Sequence, residues 1–315
     1  MTKRTSFRQL FRDHHPVVSP IAHDALTARM ITAAGFPAVC IGGSAMLAAQ
    51  FGLPDMGIAT LGEMVEGARV VMRGTHLPCG VDGDDGYGDL KSVARTVESY
   101  SELDVGSIIF EDQARGSKQP GDGRPVGVIS TEDMCSKLQT AVYARSDKEQ
   151  IILARVDAYA VEGLDGALRR ADRYLNAGAD GIFVSGLSSQ SELEKVGRTL
   201  KGAIQIAVVS ERLMNIWPSP KELYDLGFTQ VMYPNLIIGR TVRGIERSID
   251  DVRALARGEK ANFDDLETGM SLGSLQSLLG RERWAEIDHR FAAAEPFMPA
   301  GPGIASVAPS AASKS

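Results

Sequence analysis

The stretch Cys79-Gly80-Val81-Asp82-Gly83-Asp84-Asp85-Gly86-Tyr87-Gly88 ends a short apolar run with three carboxylates and a Gly-Tyr-Gly turn. Asp82 and Asp84, two apart on an extended segment, project to the same side. An all-oxygen donor set of this kind suits magnesium better than a thiophilic metal. Alone, the same residues equally make a solvated Asp-Gly turn, so the metal reading depends on what converges there. Glu111 follows the apolar run Ser107 to Phe110, and Asp55 ends Gly52-Leu53-Pro54-Asp55, where a simple turn is the plainer reading. Arg155 directly follows Ile151-Ile152-Leu153-Ala154 and cannot stay unpaired in a core. It faces either an anionic substrate or Asp157. Gly42-Gly43-Ser44, ahead of a helical stretch from Ala45, offers open N–H groups and a hydroxyl to a carboxylate or phosphate, or is merely a tight glycine turn.

These groups need a scaffold. Apolar runs of strand character recur at Val17 to Ile21, Ala38 to Ile41, Pro78 to Val81, Ser107 to Phe110, Ile151 to Ala154, Gly181 to Val184, Ile204 to Val209 and Gln230 to Tyr233. Helical stretches lie between them: Asp24 to Ala34, Leu61 to Arg73, Leu90 to Leu103, Thr131 to Ala144, Leu164 to Ala177, Ser189 to Leu200 and Ile237 to Ala256. Gly35, Gly178 and Gly227 stand where left-handed helix caps are expected, each just before the next strand. Continuous apolar strands belong to a parallel sheet covered on both faces, and this alternation favours an α/β fold of the (β/α)8, TIM-barrel type over an open doubly wound sheet. No Gly-x-Gly-x-x-Gly follows a strand, so a dinucleotide fold lacks its fingerprint.

A barrel places its active site on the loops after its strands. There stand His23 and Asp24; Gly42, Gly43 and Ser44; Asp82, Asp84 and Asp85; Glu111 and Asp112; Arg155 and Asp157; Ser185, Gly186 and Ser188; Ser210, Glu211 and Arg212; and Pro234 and Asn235. Residues 113–128, rich in glycine and carrying Arg115, Lys118 and Arg124, read as a mobile lid. Helical runs around Leu275 to Leu279 and from Arg283 to Ala293 lie beyond the eighth unit and need something to pack on. Residues 1–295 thus form one barrel with extra C-terminal helices, and 296–315, rich in Ala, Pro, Gly and Ser, a disordered tail.

Composition narrows the chemistry. A net charge of -6 without a basic block argues against a nucleic-acid partner, and no apolar stretch is long enough for a membrane span or signal peptide. A cytoplasmic protein acting on a small molecule is expected. Cys40, Cys79 and Cys135 read as reduced, buried core residues. No His-Glu-x-x-His or Gly-x-Ser-x-Gly occurs, which leaves neither an obvious zinc site nor an obvious covalent nucleophile.

Several segments together resemble the isocitrate lyase and phosphoenolpyruvate mutase superfamily from about Val18 to Leu255: Ala22-His23-Asp24-Ala25-Leu26-Thr27-Ala28-Arg29, Gly42-Gly43-Ser44, Gly52-Leu53-Pro54-Asp55, Val81 to Gly88, Phe110-Glu111-Asp112-Gln113 and Ala154-Arg155-Val156-Asp157-Ala158. The resemblance implies a magnesium-dependent barrel, with manganese as a substitute, that makes or breaks a bond at C3 of a 2-oxo or 2-hydroxy acid through an enolate. By the resemblance Asp82 holds the metal, and Asp55, Asp84 and Glu111 support it directly or through water. Gly43, Ser44, Ala45 and Asn235 take the substrate, and Arg155 stabilises the enolate, with Asp55 and Glu111 as further catalytic groups. It also implies a homodimer or homotetramer that exchanges its last helix.

Three departures matter. Isocitrate and methylisocitrate lyases carry Lys-Lys-Cys-Gly-His or Lys-Arg-Cys-Gly-His on the lid, where this chain reads Gln113-Ala114-Arg115-Gly116-Ser117-Lys118-Gln119-Pro120. Phosphonate enzymes place an asparagine there, and this chain has none before Asn176. Asp85 and Asp89 stand where threonine and asparagine are common. The expectation is a lid-divergent carbon–carbon lyase of a small dicarboxylate, oxaloacetate decarboxylase-like first and methylisocitrate or alkylmalate lyase-like second. Phosphonopyruvate hydrolysis or mutase chemistry, and a non-catalytic metabolite-binding barrel, are the alternatives.

Overall fold

Each of the eight apolar runs forms a parallel strand: β1 Val17–Pro20, β2 Val39–Ile41, β3 Cys79–Asp82, β4 Ser107–Glu111, β5 Ile151–Val156, β6 Gly181–Val184, β7 Ile204–Val208 and β8 Gln230–Tyr233. The computed structural model describes residues 4–118, 127–209, 218–259 and 270–292. The sheet order is β1-β8-β7-β6-β5-β4-β3-β2. A parallel bridge from Ile21 to Cys40, with the Ala22 N–H donating to the Cys40 carbonyl at 2.8 Å, joins its two ends. The sheet is therefore a nearly closed barrel, the TIM-type fold expected from the alternation.

Helices α2 Ala25–Ala33, α3 Gly43–Phe51, α4 Leu61–Met72, α5 Leu90–Glu102, α6 Thr131–Ala144, α7 Tyr159–Asn176, α8 Gln190–Thr199, α9 Pro220–Leu226 and α10 Leu236–Ala256 follow the strands in turn. Their starts are set by side-chain caps, among them Asp24 on the Thr27 N–H and Thr60 in a reciprocal box with Glu63. Gly35, Gly178 and Gly227 have φ of +79°, +105° and +116°, the left-handed backbone expected of them. Asp89, a departure of unknown purpose in sequence terms, caps α5 by accepting the Ser92 N–H at 3.0 Å.

One element lay outside the sequence reading. Helix α1, Phe7–Asp13, arises from the charged N-terminal segment, where no element was expected, and α9, whose cap Gly227 was expected, starts at Pro220. Phe7 is fully buried and joins Leu10, Val17, Cys40, Ile151, Leu153 and Ile206 in the barrel interior. A Cβ on Gly106, just before β4, would lie 2.8 Å from its ring, so glycine is needed for this approach. The Phe7 ring thus plugs the end of the barrel opposite the strand C-termini. Cys40 and Cys79 are buried free thiols as expected, but Cys135 is only half-buried, because it sits at the edge of the core between α6 and the Arg173 carbonyl of α7.

The chain divides into two units, Met1–Phe263 and Asp264–Ser315. The second contains α11 Leu272–Leu278 and α12 Arg281–Phe291, joined through Gly280 at φ +84° and carrying exposed Leu272, Trp284 and Phe291. Residues 296–315, expected to form a tail, lie outside the described residues. No helix among the described residues is long and apolar enough to cross a membrane.

Phe7→Ala removes the plug and leaves a cavity at the barrel floor. The expected loss is about 3–5 kcal/mol of unfolding free energy in urea titrations.

Candidate active site

Asp82 ends β3, Glu111 ends β4 and Arg155 stands near the end of β5, on three adjacent strands, with Glu111 and Arg155 in register. The neighbouring Asp112 holds this corner from behind. Its Oδ1 accepts the Asp157 N–H at 2.7 Å, and its Oδ2 accepts the Tyr174 hydroxyl at 2.8 Å and Arg170 Nη1 at 3.2 Å. Arg170 also donates to the Ile129 carbonyl at 2.8 Å and to Glu162 at 2.6 Å. Two residues of α7 thereby fasten the ends of β4 and β5 together through a buried, hydrogen-bonded charge network.

Arg155 is held on both sides. Its Nη2 donates to Asp157 Oδ1 at 2.8 Å, its Nη1 lies 3.1 Å from Glu111 Oε2, and its guanidinium centre lies 5.7 Å from the Phe183 ring centroid. The two roles left open for it are therefore compatible, since it is paired and still lines the cavity at the barrel mouth.

The acidic stretch departs from the extended geometry expected of it. Strand β3 ends at Asp82, and Asp84 has φ of +46°, so strand alternation does not set the two side chains. Instead Asp82 Oδ1 accepts the Asp84 N–H at 3.0 Å, an Asx-type turn. Into this turn comes Lys118. Its ammonium donates to Asp84 Oδ1 and lies 3.0 Å from Glu111 Oε1 and 3.3 Å from Asp55 Oδ1. Asp85 turns away, to pair with Arg115 and lie 3.6 Å from Lys137 Nζ.

The electrostatics of the cluster follow from burial. Desolvation, then the neighbouring Asp84, pushes the Asp82 carboxyl up to about 6. Desolvation pushes Glu111 up to about 8 against the opposing pull of Arg155 and Lys118. Neither Glu111 oxygen makes a contact of hydrogen-bond geometry, despite the two cations beside it. Among the described residues no three His, Cys, Asp or Glu side chains converge on one metal position. The position among Asp55, Asp84 and Glu111 belongs to the lysine ammonium. The donors themselves fit a hard divalent ion that keeps several waters: they are all carboxylate oxygens, they are crowded, and Glu111 has both oxygens unsatisfied.

Beside the cluster lies a cavity of about 150 Å³, a volume that suits a benzene-sized molecule. Asp55, Asp82, Arg155 and Asn235 give it polar groups, and Ile109, Phe183, Val208 and Met232 give it apolar walls. Gly43, Ser44 and Ala45 line it at the first turn of α3, whose cap residue Gly42 makes no side-chain hydrogen bond. That first turn has no partner for its N–H groups within the helix. A Cβ on Gly43 would lie 3.3 Å from Asp82 Oδ2, so glycine lets the helix start close to the carboxylate.

The sequence-derived residues thus sort into two sets. Gly43, Ser44, Ala45, Asp55, Asp82, Arg155 and Asn235 line the cavity, whereas Asp84 and Glu111 gather around Lys118, which Asp55 also reaches. His23 lines neither; it is buried with Nε2 3.1 Å from Thr27 Oγ1, and desolvation lowers its pKa. Lys118, named only as a lid cation, and Arg170 and Tyr174, which hold Asp112, were missed as site residues. The only signal for Lys118 was an unpaired cation in a loop full of glycine. Ser210, Glu211, Arg212 and residues 119–126 of the expected lid lie outside the described residues.

A family model described as phosphoenolpyruvate phosphomutase matches residues 7–253. The chain belongs to the phosphoenolpyruvate mutase and isocitrate lyase family. It is 30% identical to 2,3-dimethylmalate lyase of Eubacterium barkeri over 294 residues, covering 93% of this chain and 99% of that one. To 2-methylisocitrate lyase of Halalkalibacterium halodurans it is 34% identical over 266 residues, covering 84% and 87%. A crystal structure of 2,3-dimethylmalate lyase superposes with a TM-score of 0.78 at 26% identity, covering 90% of this chain and 97% of that one. The protein is accordingly an enzyme of the carbon–carbon lyase class, and the reading as a non-catalytic barrel falls away. The loop after β4 brings Arg115 to Asp85 and Lys118 to Asp84.

Arg170→Met strips Asp112 of its buried cation and releases the Asp157 backbone. A loss of about 3–5 kcal/mol in unfolding free energy is expected, far more than for an exposed pair such as Lys221–Asp225.

Proposed function

We propose that the protein cleaves the C2–C3 bond of a small, alkyl-substituted 2-hydroxy dicarboxylate, releasing a 2-oxo acid. The observation that carries this reading is the cavity, in which a guanidinium and a helix N-terminus face apolar walls at the barrel mouth. Ser44 and the N–H groups of Gly43, Ser44 and Ala45 bind one substrate carboxylate at the N-terminus of α3. Ile109, Phe183, Val208 and Met232 pack against the alkyl substituent and exclude water.

The chemistry asks for a proton acceptor and for positive charge. Asp55, at the cavity wall, takes the proton of the 2-hydroxyl; C2–O becomes a carbonyl, the C2–C3 bond breaks, and its electron pair stays on the departing fragment as an enolate-type anion until C3 takes a proton from water and Asp55 returns its own to solvent. Arg155, fixed by Asp157 and Glu111, presents its guanidinium where negative charge develops on oxygen. Magnesium or manganese held by Asp82, with Asp55, Asp84 and Glu111 in support directly or through water, would supply Lewis-acid charge when bound.

Decarboxylation of oxaloacetate, ranked first on sequence alone, becomes the second reading. It is favoured by the absence of a cysteine from residues 113–128, the chain's three cysteines lying at 40, 79 and 135. Phosphonate chemistry ranks third, for want of an asparagine in the same segment.

We further infer a second copy of this chain as partner. Val242, Ile245, Ile249 and Val252 recur on one face of α10 and are all exposed.

Three outcomes are expected. With magnesium present, purified protein releases pyruvate from 2,3-dimethylmalate or 2-methylisocitrate at higher kcat/KM than from oxaloacetate, measured by coupling to NADH and lactate dehydrogenase; no pyruvate above the metal background from any of the three sinks the reading. Arg155→Met lowers kcat/KM by about 10²–10³-fold. Ile245→Glu shifts sedimentation toward monomer.

A further inference from the structure

Asp85 is the position at which the chain leaves its family's pattern inside the acidic stretch, and the proposed reaction gives it no task. Its side chain is only 11% exposed. One oxygen pairs with Arg115 Nη2 and accepts the Tyr87 N–H at 3.1 Å; the other lies 3.6 Å from Lys137 Nζ, which donates to the Asp85 carbonyl at 2.6 Å. Arg115 is in turn held in three ways. Besides Asp85, its Nη1 donates to the Gly57 carbonyl at 2.9 Å, and its guanidinium centre lies 5.1 Å from the Tyr87 ring centroid.

Arg115 opens the single 3-10 turn Arg115–Ser117, and Lys118 is the next residue. The turn is fastened at its base: the Ser117 hydroxyl shares its one proton between the Ala114 and Gly127 carbonyls, 2.7 and 3.0 Å away, and the Ala114 N–H donates to the Gly127 carbonyl at 3.1 Å. Gly57 has φ of +69°, and a Cβ there would lie 3.3 Å from Arg115 Cγ and 3.8 Å from Lys118 Cδ. With both ends of the turn tied, the Lys118 side chain is directed among Asp55, Asp84 and Glu111 and is 9% exposed.

We propose that Asp85 and Arg115 are positioning residues that seat the Lys118 ammonium among the carboxylates of the candidate metal site, so that lysine and a divalent cation compete for one place. Two positive charges cannot share that place without strong repulsion. Metal entry therefore requires the ammonium to withdraw, and the Asp85–Arg115 pair sets how hard that is. The competition rests on the metal reading given above; the positioning by Asp85 and Arg115 does not.

The test uses the full chain, stripped of metal with a chelator and labelled with 15N in lysine side chains. A seated ammonium gives an Nζ signal protected from solvent exchange, assigned by its loss in Lys118→Met. The expected result is its presence in the unaltered protein and its loss in both Asp85→Thr and Arg115→Met, at thermal midpoints that show a folded barrel. Retention of the signal in either folded variant overturns the positioning role. Magnesium titration should abolish the signal in the unaltered protein, and Mn2+ binding followed by electron paramagnetic resonance should be tighter in Lys118→Met by at least about tenfold. Equal or weaker Mn2+ binding in Lys118→Met overturns the competition. Absence of Mn2+ binding from both proteins overturns the metal reading and the competition with it, while the metal-free spectra still decide the positioning role.

Discussion

Carboxylates crowded at the mouth of a barrel repel one another, and low-dielectric surroundings make the repulsion worse. Asp55, Asp82, Asp84 and Glu111 are in that situation, and much of the architecture around them supplies compensating charge. Arg155 neutralises one side of Glu111, Lys118 the other, and Asp82 takes a backbone N–H from its own turn. Even so, Asp82 and Glu111 hold their protons more tightly than ordinary carboxyls. A protein that keeps such a cluster has a use for positive charge delivered there, which is why the donor chemistry and the proposed lyase reaction point the same way.

Rigid and adjustable parts are separated around this cluster. Strands β3, β4 and β5 carry Asp82, Glu111 and Arg155, and the Asp112–Arg170–Tyr174 network ties the last two strands to α7. Side chains that must meet developing charge within a fraction of an ångström are thus placed on elements that cannot drift. Lys118, by contrast, stands on a short turn outside the strands, held through Arg115 and Ser117. The charge that must be steady comes from the strands, and the charge that must move comes from a loop.

The barrel was legible because its strands are continuous apolar runs and its glycines mark helix ends, both local signals. The cavity-lining residues were legible for a related reason: the fold places chemistry after each strand, so Ser44, Asp82, Arg155 and Asn235 could be found by counting strands. What stayed hidden depends on approach between distant segments. Phe7 sits in a charged, unpatterned segment, and only the tertiary fold brings its ring to Gly106. Lys118 and Arg115 look like solvated loop cations until Asp84 and Asp85 stand opposite them. The φ of Asp84 was misjudged because an Asp-Gly-Asp sequence is compatible with both an extended strand and a turn.

The pairing of Gln113 with Val128 closes the base of the segment between them. Because the Ile129 N–H also donates to the Asp112 carbonyl, the chain leaves β4 and returns toward α6 at nearly the same point. The segment therefore starts and ends on one fixed socket, and it delivers Lys118 to Glu111 from that base. A graft that keeps Gln113 and Val128 would thus exchange the cations offered to Asp84, Asp85 and Glu111 while the ends of the segment stay where they are.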